Sequence, residues 1–317
     1  MKIVVMQGPA HSGVVDAPEP KPGHRELLVE VTYSGLCMSE WHPWENAKAG
    51  QRFGHEPVGV VVELGPGVES FAVGDRVSGL ASTPAFAEYC LIHEERAVTV
   101  PANIADEDAL AEPLGCLVSA ASKLPSHALS DTVAVLGAGY MGLGIISLLR
   151  SQGAGSIIAV DPRSEARQNA LQFGADVVYA PDDVPERLLV NKWDDGIHER
   201  GLGLVAEWAG TQEALSLASD MTAVHGTLAV GAWHQGGLRY VDMRLWGWKG
   251  ISVLNTHERH TEFLVKCCAK GLTMLSEGTW SYTGVARHIY TLDEFDRANE
   301  ELAAKPAGFI KGLIRCS

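Results

Sequence analysis

The stretch "TVAVLGAGYMGLGIISLLRSQGAGSIIAVD" leaves this chain few folds to choose from. An apolar run turns on a glycine and passes into a helix-patterned segment ending at Gly153. A second apolar run follows and ends in Asp161. "GAGYMG" places Gly137, Gly139 and Gly142 in the spacing G-x-G-x-x-G, with Tyr140 and Met141 inside the motif and Asp161 nineteen residues beyond Gly142. Glycines alone are a weak signal. Set between a buried strand and a helix, with an acidic residue closing the next strand, they specify a dinucleotide-binding turn. Gly137 permits the tight turn, Gly139 lets backbone approach a pyrophosphate, and Gly142 allows close helix–strand packing. The helix N-terminus supplies N–H donors and partial positive charge. Asp161 is placed to accept the adenosine ribose hydroxyls, which favours NAD(H). Arg163, two residues on, works the other way, because a guanidinium suits a 2′-phosphate.

The alternation continues through "SEARQNALQFG", "DVVYA", "LGLVAEWAG", "TQEALSLASDM", "GTLAVGAW" and "KGISVLNT". Strands alternating with helices of this length predict a parallel, doubly wound sheet. The first 120 or so residues have a different texture. "KIVVM", "ELLVEVTYS", "PVGVVVEL", "GDRVSGL", "EYCLIH" and "RAVTVP" are short strand patterns punctuated by Gly and Pro, so a mostly antiparallel β domain is expected. "ADEDALAEPLGCLVSAASKL" reads as helix. After the sheet come helices at "TEFLVKCCAKG" and, behind a Thr-Leu-Asp-Glu capping signal, "LDEFDRANEELAAK", then a strand at "GFIKGLIRC". The expected organisation is 1–123 as a β-rich catalytic domain, 124–256 as a Rossmann domain, and 257–317 as a return to the first. The fold class is therefore α/β.

Composition closes off several functions. With 39 acidic and 25 basic residues the net charge is −14, unsuited to nucleic acid or anionic membranes. No uninterrupted apolar run is long enough to span a bilayer, and "MKIVVMQGPAHSG" is too short in its apolar part for a signal peptide. The six cysteines are scattered, with no C-x-x-C pair, which reads as reduced thiols and a cytoplasmic location.

One loop-like stretch, "GLCMSEWHPWENAKAGQRFGHEPVGVV" from Gly35 to Val61, concentrates chemistry. Cys37, Ser39, Glu40, His42, His55 and Glu56 fall within it. Thiolate, imidazole and carboxylate together form a zinc-type donor mixture. "GLCMSEWH" followed by "GHE" resembles the zinc-containing medium-chain dehydrogenase/reductase superfamily, the alcohol and polyol dehydrogenases. So do "VGDRV", "FAEY", "EPL", the glycine turn and the terminal "YTLDEFDRANEEL…GFIKGLI", so the resemblance runs over nearly the whole chain. It implies a GroES-like catalytic domain beside the Rossmann domain.

The resemblance also implies a ligand set. Cys37 and His55 hold a catalytic zinc ion, and Glu112 of "AEPLGC" stands where polyol dehydrogenases carry a glutamate and classical alcohol dehydrogenases a second cysteine. Glu56 lies at or near the metal. For adjacent His55 and Glu56 to reach one ion the backbone must be irregular, which "FGHEP" permits. On a helix Glu112 and Cys116 share a face, so Cys116 is the rival ligand. The "EPL" match favours Glu112 and sets Cys116 beside the nicotinamide. Ser39 resembles the hydroxyl that accepts the substrate proton, and His42 the outer histidine that hands it to solvent through the nicotinamide ribose. Glu40 replaces the family's Asp that supports a ligand histidine from behind. No four-cysteine lobe lies between His55 and Glu112, so one zinc per subunit is implied.

The substrate is then a small alcohol or ketone. Trp41, Trp44, Asn255 and His257 are candidate pocket residues. Glu112 and the polar "NTHERH" lean towards a polyol or sugar-derived alcohol, whereas eight tryptophans would suit an apolar or aromatic one. The rivals are a metal-free reductase of quinones or enones, which intact Cys37, His55 and Glu112 oppose, and a non-catalytic nucleotide-binding protein. A homodimer or homotetramer, joined along an edge of the nucleotide sheet, is the expected assembly.

Overall fold

The computed structural model describes residues 1–126, 131–192, 197–285 and 287–317. The chain divides into two units. One holds Met1–Val118, Glu258–Thr279 and Thr283–Ser317; the other holds Ser119–His257 and Trp280–Tyr282.

The first unit is built on β3 (Glu26–Gly35), β4 (Pro57–Leu64), β5 (Arg76–Gly79), β6 (Tyr89–His93), β7 (Ala97–Thr99), β14 (Arg287–Thr291) and β15 (Lys311–Arg315). Its seven-stranded sheet runs β14-β15-β3-β4-β5-β7, with β6 also on β3. Every pairing is antiparallel except β14 with β15. A hairpin of β1 (Lys2–Gly8) and β2 (His11–Asp16) lies apart from that sheet. The core gathers Leu27, Val29 and Val31 from β3, Val61 from β4 and Ile92 from β6. Phe86 and Phe295 meet there with ring centroids 4.9 Å apart. Helices α7 (Thr261–Ser276) and α8 (Phe295–Ala304) belong to this unit. The capping signal before α8 is made: the Glu294 carboxylate accepts the Thr291 N–H at 2.9 Å.

One expectation needs correction here. The loop-like stretch contains a helix, α1 (Met38–Glu45), with Pro43 inside it. Proline at the sixth helical position has no N–H to donate to the Ser39 carbonyl one turn back. Helix α2 (Ala111–Lys123) follows β7, and the division between units falls within it.

The second unit carries β8 (Thr132–Leu136), α3 (Tyr140–Ser151), β9 (Ser156–Val160), α4 (Ser164–Gln172), β10 (Val177–Tyr179), β11 (Leu202–Glu207), α5 (Gln212–Met221), β12 (Thr222–Val230), α6 (Met243–Lys249) and β13 (Ser252–Asn255). Its sheet order is β10-β9-β8-β11-β12-β13, and every pairing is parallel. Two wings wind outward from β8. Right-handed crossovers then put their helices on opposite faces, and the order reverses between β8 and β11. Strands covered on both sides must be apolar throughout, which is why Val133–Leu136 and Ile157–Val160 are buried without alternation. Among the described residues no helix is long and apolar enough to cross a membrane.

Candidate active site

In the first unit, the Cys37 thiol, one His55 ring nitrogen and one Glu56 carboxylate oxygen all lie within 4.8 Å of one another. Local geometry explains the meeting. Cys37 ends the extended segment after β3 and caps α1. Gly54, with φ +109°, bends the chain just before His55, and a Cβ there would stand 2.4 Å from the Phe86 nitrogen. The irregular backbone expected at "FGHEP" is thus present, and His55 and Glu56 both face the cluster. Thiolate, imidazole and carboxylate at this spacing fit a zinc ion.

The surroundings orient each donor. Glu40 Oε1 lies 3.0 Å from His55 Nδ1 and accepts the Gly54 N–H at 2.8 Å. The glutamate reaches the imidazole despite being one methylene longer than aspartate. This leaves His55 Nε2 for the cluster, 3.9 Å from Glu56 Oε1. Burial opposes a charged His55, but the negative Glu40 and the Cys37 sulfur outweigh it, pushing its pKa up to about 12. A site that concentrates negative charge this strongly on one imidazole attracts a cation. Glu40 Oε2 is buried with no hydrogen-bond partner.

Glu56 is 1% exposed, and its other oxygen is taken by Lys311, whose Nζ lies 2.5 Å from Oε2 and donates to the Leu36 carbonyl at 2.8 Å. Lys311 is itself buried. Glu112 stands just outside the closest group. Burial raises its pKa, while its carboxyl also feels the charges of His55, Glu56 and Lys311. Its Oε1 accepts the Cys116 thiol at 3.3 Å, so these two are bonded across one helical turn. Burial first, then Glu112, raises the Cys116 pKa well above the thiol range.

Ser39 and His42 follow on α1, three residues apart and so on adjoining faces. The Ser39 hydroxyl donates to Cys37 Sγ at 3.2 Å. The His42 side chain is 47% exposed, with Glu45 at 3.7 Å and Asn46 at 3.3 Å from Nδ1. Trp41 packs partly buried against the core, its indole nitrogen buried without a partner. Trp44 is 4% exposed and donates to Asp296 at 3.0 Å. That corrects the pocket expectation for Trp44: it anchors α1 to α8 inside the core.

In the second unit the glycine turn has the form its residues predict. Gly137 has φ +91°, and a Cβ on Gly142 would stand 1.8 Å from the Gly137 carbonyl. A Cβ on Gly139 would meet no protein atom within 4 Å, so the backbone there faces open space. Gly139 caps α3, whose first turn carries no acidic side chain. An open backbone at a helix N-terminus fits a pyrophosphate. The Tyr140 carbonyl accepts the Tyr282 hydroxyl, and Met141 is half-buried. Asp161 is buried just beyond β9. Its Oδ2 accepts the Ala138 N–H at 2.9 Å and its Oδ1 the Arg163 N–H at 2.9 Å. The Arg163 guanidinium pairs with the same carboxylate, Nε to Oδ1 at 3.2 Å. Asn255 and His257 also lie in this unit. Asn255 Oδ1 accepts the His257 N–H at 3.1 Å, and His257 Nε2 sits 3.2 Å from the Ala232 carbonyl.

Sequence reading missed Lys311 and Asp296. A lysine inside the apolar "GFIKGLI" was the available signal for the first; nothing local marks the second.

Comparison with known proteins agrees with both units. Residues 23–103 match the family described as alcohol dehydrogenase GroES-like domain, and residues 141–273 the family described as zinc-binding dehydrogenase. A sorbitol dehydrogenase of Halalkalibacterium halodurans is 28% identical over 99% of each chain. An L-threonine 3-dehydrogenase of Thermococcus kodakarensis is 30% identical over 68% of this chain and 70% of its own. Among solved structures, the alcohol dehydrogenase TADH from Thermus sp. ATN1 superposes with a TM-score of 0.82 at 22% identity, covering 100% of both chains.

Proposed function

The chain belongs to the zinc-containing medium-chain dehydrogenase/reductase superfamily, as an oxidoreductase of its alcohol and polyol dehydrogenase type, and we propose that it transfers hydride between NAD(H) and a secondary alcohol or ketone, the alcohol being a polyol or sugar derivative. The observation that carries this is the convergence of Cys37, His55 and Glu56, with Glu40 behind the imidazole. Cys37, His55 and Glu112 would hold one zinc ion, with Glu56 beside it. When bound, zinc supplies Lewis-acid polarisation of the substrate oxygen.

The rest is work for side chains. The Ser39 hydroxyl takes the substrate proton, and His42, half in solvent, releases it. Glu40 keeps His55 in the tautomer that turns Nε2 to the metal. Asp161 binds the adenosine ribose and disfavours a 2′-phosphate. Arg163, already paired with that carboxylate, offsets the discrimination only in part.

Glu112 and the likeness to a sorbitol dehydrogenase support the polyol choice. It is tested by steady-state assay of polyols, simple aliphatic alcohols and aromatic alcohols with NAD, alongside zinc per subunit. Turnover of aromatic or aliphatic alcohols alone would discard the polyol, and full activity in metal-free protein would discard the zinc. A second copy is the proposed partner. β13 stands at the edge of its sheet with Val253 47% exposed, which suits strand-to-strand pairing. Val253→Lys should then lower the mass measured by light scattering.

A further inference from the structure

At the carboxyl ends of β11 and β12 a carboxylate, an imidazole and a guanidinium form one chain of hydrogen bonds. Glu207, 0% exposed, ends β11. Its Oε1 accepts the N–H groups of Ala209 at 2.8 Å and Gly210 at 2.7 Å, fixing the loop that leaves the strand. Its Oε2 lies 2.8 Å from His234 Nε2, and the Glu207 carbonyl accepts the N–H groups of Gly231 and Ala232. On the far side of the imidazole, Arg239 Nε lies 3.1 Å from His234 Nδ1. The arginine Nη2 donates to the carbonyls of Gly210 at 3.1 Å and Gln235 at 2.7 Å.

The proton positions follow from this order. A guanidinium only donates, so His234 Nδ1 must accept and the ring is neutral. Nε2 then carries the hydrogen and donates to Glu207. The chain reads Arg239 to His234 to Glu207, and it ties the loop after β11 to the loop after β12. A carboxylate buried at a strand end is costly unless both oxygens find donors. Here its two oxygens take three donors.

The position of the tied loops gives them a role. In an open parallel sheet the ligand lies outside the carboxyl ends of the strands, at the point where strand order reverses, here between β8 and β11. Asp161 beyond β9 takes the adenosine end. The other half of a dinucleotide must then lie over the loops after β11 and β12. The first of these presses directly on the glycine turn, since a Cβ on Gly137 would stand 2.7 Å from the Ala209 nitrogen. We infer that Glu207, His234 and Arg239 form a clamp that positions the nicotinamide half of the cofactor by holding these two loops in register. They are positioning residues and need not touch the cofactor themselves. This rests on the NAD reading above.

The test compares NADH with ADP-ribose, which lacks the nicotinamide, by calorimetric titration of the full-length protein. His234→Leu keeps bulk but neither donates nor accepts. His234→Gln restores one donor and one acceptor. Arg239→Met provides a second break should His234→Leu fail to fold. His234→Leu and Arg239→Met should weaken NADH by at least about tenfold, a cost of the order expected for hydrogen bonds to a charged group. ADP-ribose should stay within about twofold, and His234→Gln should recover most of the NADH affinity. Equal losses for both nucleotides, unchanged NADH binding in both broken variants, or His234→Gln no better than His234→Leu would overturn the clamp. If the unsubstituted protein binds ADP-ribose but gains nothing from the nicotinamide, the clamp fails while the nucleotide site stands. If it binds neither nucleotide, the NAD reading itself falls and takes the clamp with it.

Discussion

Replacing Lys311 by methionine should damage the fold of the first unit more than a change at Cys37 or His55. Lys311 and Glu56 are 4% and 1% exposed, with Nζ 2.5 Å from Oε2. Methionine keeps the volume and removes the charge, leaving the buried Glu56 Oε2 without its ammonium partner while Oε1 keeps only the His55 ring at 3.9 Å. Removing one member of such a pair costs about 3–5 kcal/mol. The lost bond to the Leu36 carbonyl adds about 1 kcal/mol. For a unit of this size each kcal/mol moves the midpoint by roughly 2–4 °C, so a fall of roughly 8–24 °C is expected. The measurement is scanning calorimetry in the presence of a chelator, so that no metal compensates Glu56. The double variant Lys311→Met/Glu56→Gln should regain much of the loss, because a neutral amide no longer needs the ammonium. A fall under about 3 °C, or a double variant no more stable than Lys311→Met, would show that the pair is not the uncompensated buried charge argued here.

Four further outcomes follow from the same geometry. Cys37→Ser and His55→Gln should each leave less than about a tenth of the zinc per subunit found by emission spectroscopy; full occupancy in either removes that residue from the ligand set. Glu112→Gln should lower bound zinc more than Cys116→Ser, and the reverse order would make Cys116 the ligand. Asp161→Ser should shift the ratio of NAD to NADP turnover towards NADP by about tenfold, and an unchanged ratio would take the ribose role from Asp161. Finally, the Arg25 hydrogen bond, with donors from Glu69 and Ser70, lowers the Glu94 pKa from 4.5 to about 2. Ionised Glu94 therefore stabilises the fold above about pH 4.5, and this is lost as the pH falls through 2. Glu94→Gln should flatten the acid-unfolding slope in that window, and an identical slope would contradict the linkage.

What could be read from the chain was what is encoded locally. The glycine turn, the apolar strands of the parallel sheet and the capping box at Thr291 are short-range patterns, and each appears where its residues predict. Cys37 and His55 were recognisable from residue types in a small window. α1 was not, because Pro43 and two tryptophans hide its helical period. The partners that complete the cluster were out of reach for a different reason. Lys311 is 255 residues from Glu56, and Asp296 is 252 from Trp44. No periodicity links positions so far apart; the pairing of β15 with β3 brings the first pair together and the packing of α8 on α1 the second. The clamp was hidden because "GAWHQGGLRY" reads as an ordinary polar loop until the fold sets His234 against Glu207.

That β15 lies between β14 and β3 has a consequence for how the molecule is made on the ribosome. Cys37, His55 and Glu56 emerge early, and all six strands of the nucleotide sheet follow as one continuous stretch. Lys311 is synthesised 255 residues after Glu56. A nascent chain that has not yet reached β15 can complete the parallel sheet, yet still carries Glu56 without its counter-charge and β3 without one of its partners. At roughly 5–20 residues per second the thiol and imidazole wait many seconds for that closure. Loss of β15 is therefore expected to leave a chain that retains its nucleotide sheet but lacks a finished metal centre.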